Sequence, residues 1–383
     1  MSRRSRKCTS VEYYRQVIAR FFHAWERRLH ALSKDRLVRP FEWGVDWIEP
    51  NGHAPGSPPD RVLLEWALHA VSDSARFFET PETTDYTLRP HADGATGALT
   101  FPSAMHTRYA ENNTVHALYF DATPKTGRPR RSTVARDALS NVEGHRSAQR
   151  ARRRAVVVLP QWNAGPDGHI GLCRLLNRFG LSALRLTLPY HDARRPPELN
   201  RADYIVSANV GRTVQACRQA VMDARRAIGW LAQQGYDRIG ILGTSLGSCL
   251  SLLTAAHEPR ITVQALNHVS PYFADVVWRG LSTTHVRAGL DGFVDLETLR
   301  QMWLPISPHV YLDRVRDKKT LLVYAKYDLT FPVDLSLELI GEFSRRGIPH
   351  EVAALPCGHY STGVTPFKFL DGFVLARFLD RNL

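Results

Sequence analysis

Apolar residues recur along this chain at two spacings, and the change from one to the other divides it. In residues 11–32, Tyr14, Ile18, Phe21, Trp25, Leu29 and Leu32 step by three and four, which predicts an amphipathic helix. After the Pro/Gly-rich stretch "EPNGHAPGSPPD" (49–60), "DRVLLEWALHAVSDSARFFE" predicts a second helix; "RPFEWGVDWI" between the two reads as irregular. From about 98 to 121 the pattern turns strand-like and ends in "TVHALYFDA". A polar, arginine-rich connection follows at 122–153.

From residue 154 onward the two periods alternate. "RAVVVLP", "LSALRLTLP", "DRIGIL", "ITVQALN", "KTLLVYA" and "EVAALP" are short apolar runs of the kind that form buried strands. Helical patterns separate them and one, "TPFKFLDGFVLARFL", closes the chain. "DGHIGLCRLLNRFG" places Asp167 as its N-cap and Gly180 as its stop. The clearest helix runs through Val210, Val214, Cys217, Val221, Ala224, Ile228 and Leu231 to a stop at Gly235. Such alternation means β-α-β units: an α/β fold with a mostly parallel central sheet and helices on both faces. The organisation expected is a helical extension over 1–90 and an α/β domain over 91–383, with an insertion at 270–312.

Composition narrows the class. With 383 residues, 44% of them hydrophobic, the chain can bury a large core. It has no unbroken apolar run near the roughly 18 residues a membrane span needs. The basic start lacks the apolar run and cleavage site of a secretory signal. Cys8, Cys173, Cys217, Cys249 and Cys357 are odd in number, scattered and free of C-x-x-C pairs. That pattern points to reduced thiols in the cytoplasm, with neither a disulfide framework nor a metal site. The formal charge is +13, much of it in "SRRSRK" (2–7) and "HRSAQRARRR" (145–154). Two readings stand for these runs: attraction to an anionic surface, or a solvated tail and linker. Neither run interleaves aromatics, so no nucleic-acid partner is expected.

In parallel sheets, ligands bind beyond the carboxyl ends of the strands. "GILGTSLGSCL" (240–250) sets Ser245 directly after a strand and before a helix, inside Gly243-Thr244-Ser245-Leu246-Gly247. A serine on so sharp a turn needs neighbours without Cβ atoms on either side, and the two glycines meet that need. A serine hydroxyl attacks only when a base removes its proton and a carboxylate orients the base. Asp328 follows the strand "KTLLVYA", and His359 follows "EVAALP", each on a loop at the same sheet edge. Read blandly, Asp328 caps the next helix and His359 packs in the core; Asp275 is the rival acid. An oxyanion formed at Ser245 needs N–H donors. The backbone of Leu246 is one, and Gln161 or Trp162, in "PQWNAG", the other. Tyr190, His191 and Arg194 in "PYHDARRPPE" are expected at the same edge, Arg194 either holding a substrate anion or lying on the surface. The aromatic-rich stretch 270–308, Trp278 included, is expected to form a lid with an apolar acyl-binding wall, or else to pack on itself.

Over about 98–383 the chain resembles the α/β-hydrolase superfamily: G-T-S-L-G at 243–247, Asp328 in "YAKYDLTFP" and His359 in "PCGHYS" carry the likeness. "LPYHDARRP" and "GWLAQQGYDRIGILGTSLGSCLSLL" look like the dienelactone-hydrolase-type branch, and closer to proteins similar to α/β-hydrolase domain-containing protein 18. One departure is Ser248, where many members carry another glycine. The resemblance implies Ser245 as nucleophile, His359 as base and Asp328 as acid, in an acyl hydrolase acting on a lipid or other ester. The expected activity is cleavage of a carboxylic ester or thioester through an acyl-enzyme, without a cofactor or metal. Acyl transfer by the same three residues, or an idle hydrolase fold that binds lipid surfaces, are the alternatives. The basic N-terminal helix is expected either to dock on the domain or pair in a dimer, or to touch an anionic membrane.

Overall fold

The computed structural model describes residues 10–48, 56–91, 95–122 and 153–383, with side chains from Tyr14 onward. Cys8, "SRRSRK" and "HRSAQRARRR" up to residue 152 lie outside the described residues. Among the described residues nine strands form one sheet: β1 (Thr87–Pro90), β2 (Gly97–Pro102), β3 (Thr114–Phe120), β4 (Arg154–Leu159), β5 (Ser182–Leu186), β6 (Arg238–Thr244), β7 (Ile261–Asn267), β8 (Lys319–Ala325) and β9 (Glu351–Leu355). Their order is β1-β2-β3-β5-β4-β6-β7-β8-β9; β4 to β9 run parallel and β1 to β3 add an antiparallel edge.

The helices are α1 (Ser10–His30), α2 (Pro59–Ser72), α3 (Ser74–Phe77), α4 (Ile170–Arg178), α5 (Val210–Gln233), α6 (Leu246–His257), α7 (Phe273–Arg279), α8 (Thr284–Leu290), α9 (Leu296–Met302), α10 (Val333–Arg345) and α11 (Phe367–Asn382). β4 shows why its text is apolar without alternation. Ala155, Val157 and Leu159 enter the core beneath α5 and α6, while Val156 and Val158 enter the core beneath α4 and α11. Each of the valines and the leucine stabilises the fold by about 1.5–3 kcal/mol, and a polar residue at any of these positions would lose its water on either face. Both Gly180 and Gly235 adopt positive φ at helix ends, 72° and 82°. Asp167 is not the cap of α4; His169, at φ 67°, occupies that position without a side-chain capping bond, its ring reaching Thr244 instead.

The sheet takes in Thr87–Pro90, so it starts inside the stretch read as a helical extension. Val62, Leu63 and Trp66 of α2 belong to the same core cluster as β4 and α5. The N-terminal helices therefore cover the domain rather than standing apart. α1 docks, but by only part of the predicted stripe, Trp25 and Leu29 being half-buried. Tyr14, Ile18, Phe21 and Leu32 stay 45–73% exposed. Contact runs through Trp25 of the stripe, 6.4 Å from Phe367, and through the neighbouring face, where Phe22 stacks on Tyr327 at 4.5 Å and Glu26 is fully buried. Among the described residues no helix is long and apolar enough to cross a membrane, and Cys173, Cys217, Cys249 and Cys357 are buried free thiols.

The stretch after β5 turns out to be structural. Tyr190 is buried at φ 64°, and Arg194 is fully buried. The Arg194 guanidinium donates to Asp223 Oδ2 on α5 and to the Asn112 carbonyl, both at 2.8 Å, and to the Thr187 carbonyl at 3.0 Å. This arginine ties three segments together and presents nothing to a substrate. Removing one member of a buried pair strands the other charge. Arg194→Ala is accordingly expected to lose about 3–5 kcal/mol of stability, read as a fall in the urea midpoint; an arginine serving only a ligand would leave that midpoint in place.

Candidate active site

β6 ends at Thr244 and α6 begins at Leu246, so Ser245 alone makes the turn, at φ 56° and ψ −119°. Few residues other than glycine adopt this backbone, and it persists only where the surroundings enforce it. A Cβ on Gly243 would fall 2.0 Å from the Gly247 carbonyl oxygen, and one on Gly247 would fall 2.2 Å from the Leu159 carbonyl oxygen. The Ser245 N–H donates to Asn267 O at 2.8 Å. Ser248, the departure noted above, puts its hydroxyl 2.7 Å from the Ser245 carbonyl and 2.6 Å from the His268 carbonyl. It braces the turn from within.

Three strand ends meet at this serine. His359 Nε2 lies 3.1 Å from Ser245 Oγ, and His359 Nδ1 lies 2.9 Å from Asp328 Oδ2. Asp328 is buried; its Oδ1 accepts the N–H groups of Thr330 at 2.8 Å and Phe331 at 2.7 Å. The Phe331 ring stacks on the His359 imidazole, centroids 5.5 Å apart. Asp275, the rival acid, is elsewhere, gripped by Arg300 at 2.6 and 2.8 Å.

A second histidine, not foreseen, joins the carboxylate. His268 Nδ1 also lies 2.9 Å from Asp328 Oδ2. It sits one residue beyond β7, where the strand-end rule could have found it; a backbone φ of 59° marks the position as special. Burial alone would raise the Asp328 pKa, but the His359 charge and the hydrogen bonds from His268 and His359 outweigh it, holding the carboxyl well below its usual range. For His359, burial acts to lower the pKa, and the Asp328 carboxylate, with Glu26 adding to it, raises it above the ordinary value. His268, Asp328 and His359 bring three ligand-type atoms within 4.8 Å of one another. Both rings spend their Nδ1 on one carboxylate oxygen at hydrogen-bond distance, so a cation bound there would break the contact that orients His359.

The loop after β4 supplies the other wall. Gln161, Trp162 and Leu246 all line a cavity of about 1020 Å³ that opens on Ser245. Trp162 Nε1 donates to the Ala202 carbonyl at 2.9 Å, and Asn163, at φ 58°, donates its N–H to His191 Nε2 at 2.9 Å. His191 therefore lies behind this loop and supports it; burial lowers its pKa to about 4, so the ring stays neutral and free to accept. Tyr190, His191, Arg194 and Trp278, all expected to meet substrate, do not line the cavity. Trp278 instead carries Arg287 over its ring at 5.1 Å. The insertion divides between both expectations: Phe273, Val276 and Val277 of α7 form an apolar wall of the cavity, whereas Leu299, Met302 and Trp303 are buried in the core.

No family model matches the chain, and no curated protein matches it in sequence. Solved structures do match in fold. An acetyl xylan esterase from a Paenibacillus species superposes with a TM-score of 0.55 at 12% identity, covering 87% of this chain and 98% of that one. Another, from a Thermoanaerobacterium species, gives 0.52 at 13%, covering 92% and 98%. An acylaminoacyl peptidase from Pyrococcus horikoshii gives 0.52 at 14%, covering 79% of this chain and 42% of that chain, so the present chain spans less than half of that peptidase. With the sheet order, these likenesses establish the α/β-hydrolase fold.

Gly243→Ala and Gly247→Ala each drive a methyl into backbone atoms that cannot yield, so each is expected to cost about 3 kcal/mol or more, measured by guanidinium denaturation.

Proposed function

We propose that this chain is a serine hydrolase, of the dienelactone-hydrolase-type branch that its 188–196 and 229–253 stretches resemble, cleaving a carboxylic ester or thioester through an acyl-enzyme. The observation that carries the reading is the continuous relay from Ser245 Oγ to His359 Nε2 at 3.1 Å and from His359 Nδ1 to Asp328 at 2.9 Å, on a serine held in a strained turn. His359 takes the Ser245 proton as Oγ bonds to the acyl carbon, and the carbonyl oxygen becomes an oxyanion. Leu246 N–H and the N–H of Gln161 or Trp162 meet that charge. His359 then protonates the leaving alkoxide or thiolate, and the acyl carbon is left bonded to Ser245. Water, losing a proton to His359, attacks the acyl carbon; the acid leaves, and Ser245 regains its proton.

An ester is favoured over an amide by the partial agreement of length: the two esterases match nearly end to end, and the peptidase does not. The α7 wall suits an apolar acyl group. Acyl transfer to another nucleophile uses the same residues and is separated from hydrolysis by the products formed when alcohols or amines are added. An idle fold would have no use for a strained serine aligned with a base.

The outward face of α1 supports the anionic-membrane contact expected from the sequence. Tyr14, Val17, Ile18 and Phe21 are exposed among exposed Arg15 and Arg20, and the one acid of this helix whose side chain is described, Glu26, is turned inward. Ile18→Ser with Phe21→Ser is expected to abolish co-sedimentation with phosphatidylserine-containing vesicles without altering turnover of a soluble ester. Wild-type protein left in the supernatant would remove the membrane contact.

Two outcomes test the chemistry. A fluorophosphonate probe should label the wild type and not Ser245→Ala, with ester turnover falling at least about a thousandfold in the variant. Because the base must be neutral and its pKa lies above the ordinary imidazole value of 6.5, kcat/KM should decline on acidification through an inflection above 6.5, as a stopped-flow pH series would record.

A further inference from the structure

The loop that carries His359 is built around a carboxylate from the other end of the chain. Glu26 Oε2 accepts the Tyr360 N–H at 2.8 Å and its Oε1 accepts the Ser361 N–H at 2.9 Å, with Glu26 fully buried. A Cβ on Gly358 would fall 2.4 Å from Glu26 Cδ, so the residue before the base must be glycine for the carboxylate to seat. The residues flanking His359 are thus both in contact with this one side chain. Further contacts fix the helix in place: Phe22 stacks on Tyr327, beside Asp328, and His30 meets the Tyr360 ring edge-on at 5.9 Å. The Tyr360 hydroxyl accepts from Arg36 Nη2 at 3.3 Å and lies 2.6 Å from Ser282 Oγ in the insertion.

We infer that Glu26 is a positioning residue for the base: by gathering the N–H groups of residues 360 and 361 it fixes the loop on which His359 reaches Ser245, so that α1 is a part of the active site rather than an appendage. This rests on His359 acting as the base of a Ser245 hydrolase. Hydrogen bonds from main-chain donors to a carboxylate are the strong, charge-assisted kind. A displacement of about 1 Å at a reacting group can cost a hundredfold in rate. The charged and titratable groups facing His359 among the described residues are Asp328 from the β8 loop, His268 after β7, Glu26 from α1 and the neighbouring Tyr360, whose ring meets it edge-on at 6.0 Å. Glu26 is therefore also one of two negative charges favouring the imidazolium that forms as Ser245 attacks.

The test is Glu26→Gln in the full chain, which keeps the side-chain volume but replaces one acceptor with an amide that faces a donor. The second-order rate of Ser245 labelling by a fluorophosphonate, and kcat and KM for a p-nitrophenyl ester, are measured across pH. Expected are a loss of about 10- to 100-fold in labelling rate and kcat, little change in KM, and an inflection moved to lower pH. Glu26→Asp, which keeps the charge on a shorter reach, should recover part of the rate and return the inflection towards that of the wild type. If Glu26→Gln does not fold, the Asp variant carries the test alone, and its rate should lie below the wild type with the inflection little moved. Wild-type labelling rate and an unmoved inflection in a folded Gln variant, or a wild-type rate in the Asp variant, overturn the inference. Absence of labelling in the wild type itself would defeat the serine-hydrolase reading and is distinct from either result.

Discussion

A carboxylate buried without partners would take up a proton or unfold its surroundings, and Asp328 escapes both only by accepting four N–H groups. Two come from its own loop, one from the end of β7 and one from the loop after β9. Satisfying this single side chain therefore fixes three loops relative to one another. The arrangement that results aims His359 at Ser245. Stability and reactivity are here the same demand, since the donors that keep Asp328 ionised also leave it able to stabilise a charged imidazole.

Glu26 solves a similar problem from the opposite side. It too is a fully buried acid, and its partners are again main-chain N–H groups on a loop that lacks regular structure. Loops at the carboxyl edge of a sheet have few ways to fix their backbone, because no ladder continues there. Carboxylates from elsewhere supply the missing acceptors. This explains why α1, read from its pattern as an amphipathic element that any domain could carry, is docked through a glutamate and its aromatic neighbours Phe22 and Trp25, with Tyr14, Ile18 and Phe21 of its apolar stripe left exposed.

Much of the fold and part of the site were legible in the text. The central runs, β4 above all, were buried on both sides and therefore almost wholly apolar, although β9 at the sheet edge stays largely exposed, and the order of the runs in the chain told of β-α-β units. Ser245, Asp328 and His359 could be picked out because each lies within four residues of a strand's carboxyl end, where side chains of a parallel sheet converge. Asp275 fell to the same rule applied too loosely: it lies inside α7, where Arg300 claims it. Arg194 looked available because arginines usually are; nothing local announces that Asp223, in the middle of α5, is its partner. The first half of the α1 stripe failed for a related reason. Periodicity tells that a helix has an apolar face, not whether that face meets protein or solvent, and the decisive residue, Glu26, breaks the pattern.

The end of β7 connects these ties. Asn267 and His268 are adjacent, yet the first holds the serine and the second holds the acid. The Asn267 carbonyl receives the Ser245 N–H, fixing the strained turn, while His268 donates to Asp328. The His268 carbonyl in turn lies 2.6 Å from the hydroxyl of Ser248, within the helix that begins after Ser245. Two consecutive residues thus set the distance between the nucleophile and the carboxylate, and the imidazole spans what is left. A strand buried between two neighbours can hold its last residues to a fraction of an ångström, which a loop cannot. The spacing of the relay is inherited from the ladder, and the loops have only to deliver His359 into a gap whose width the sheet has already determined.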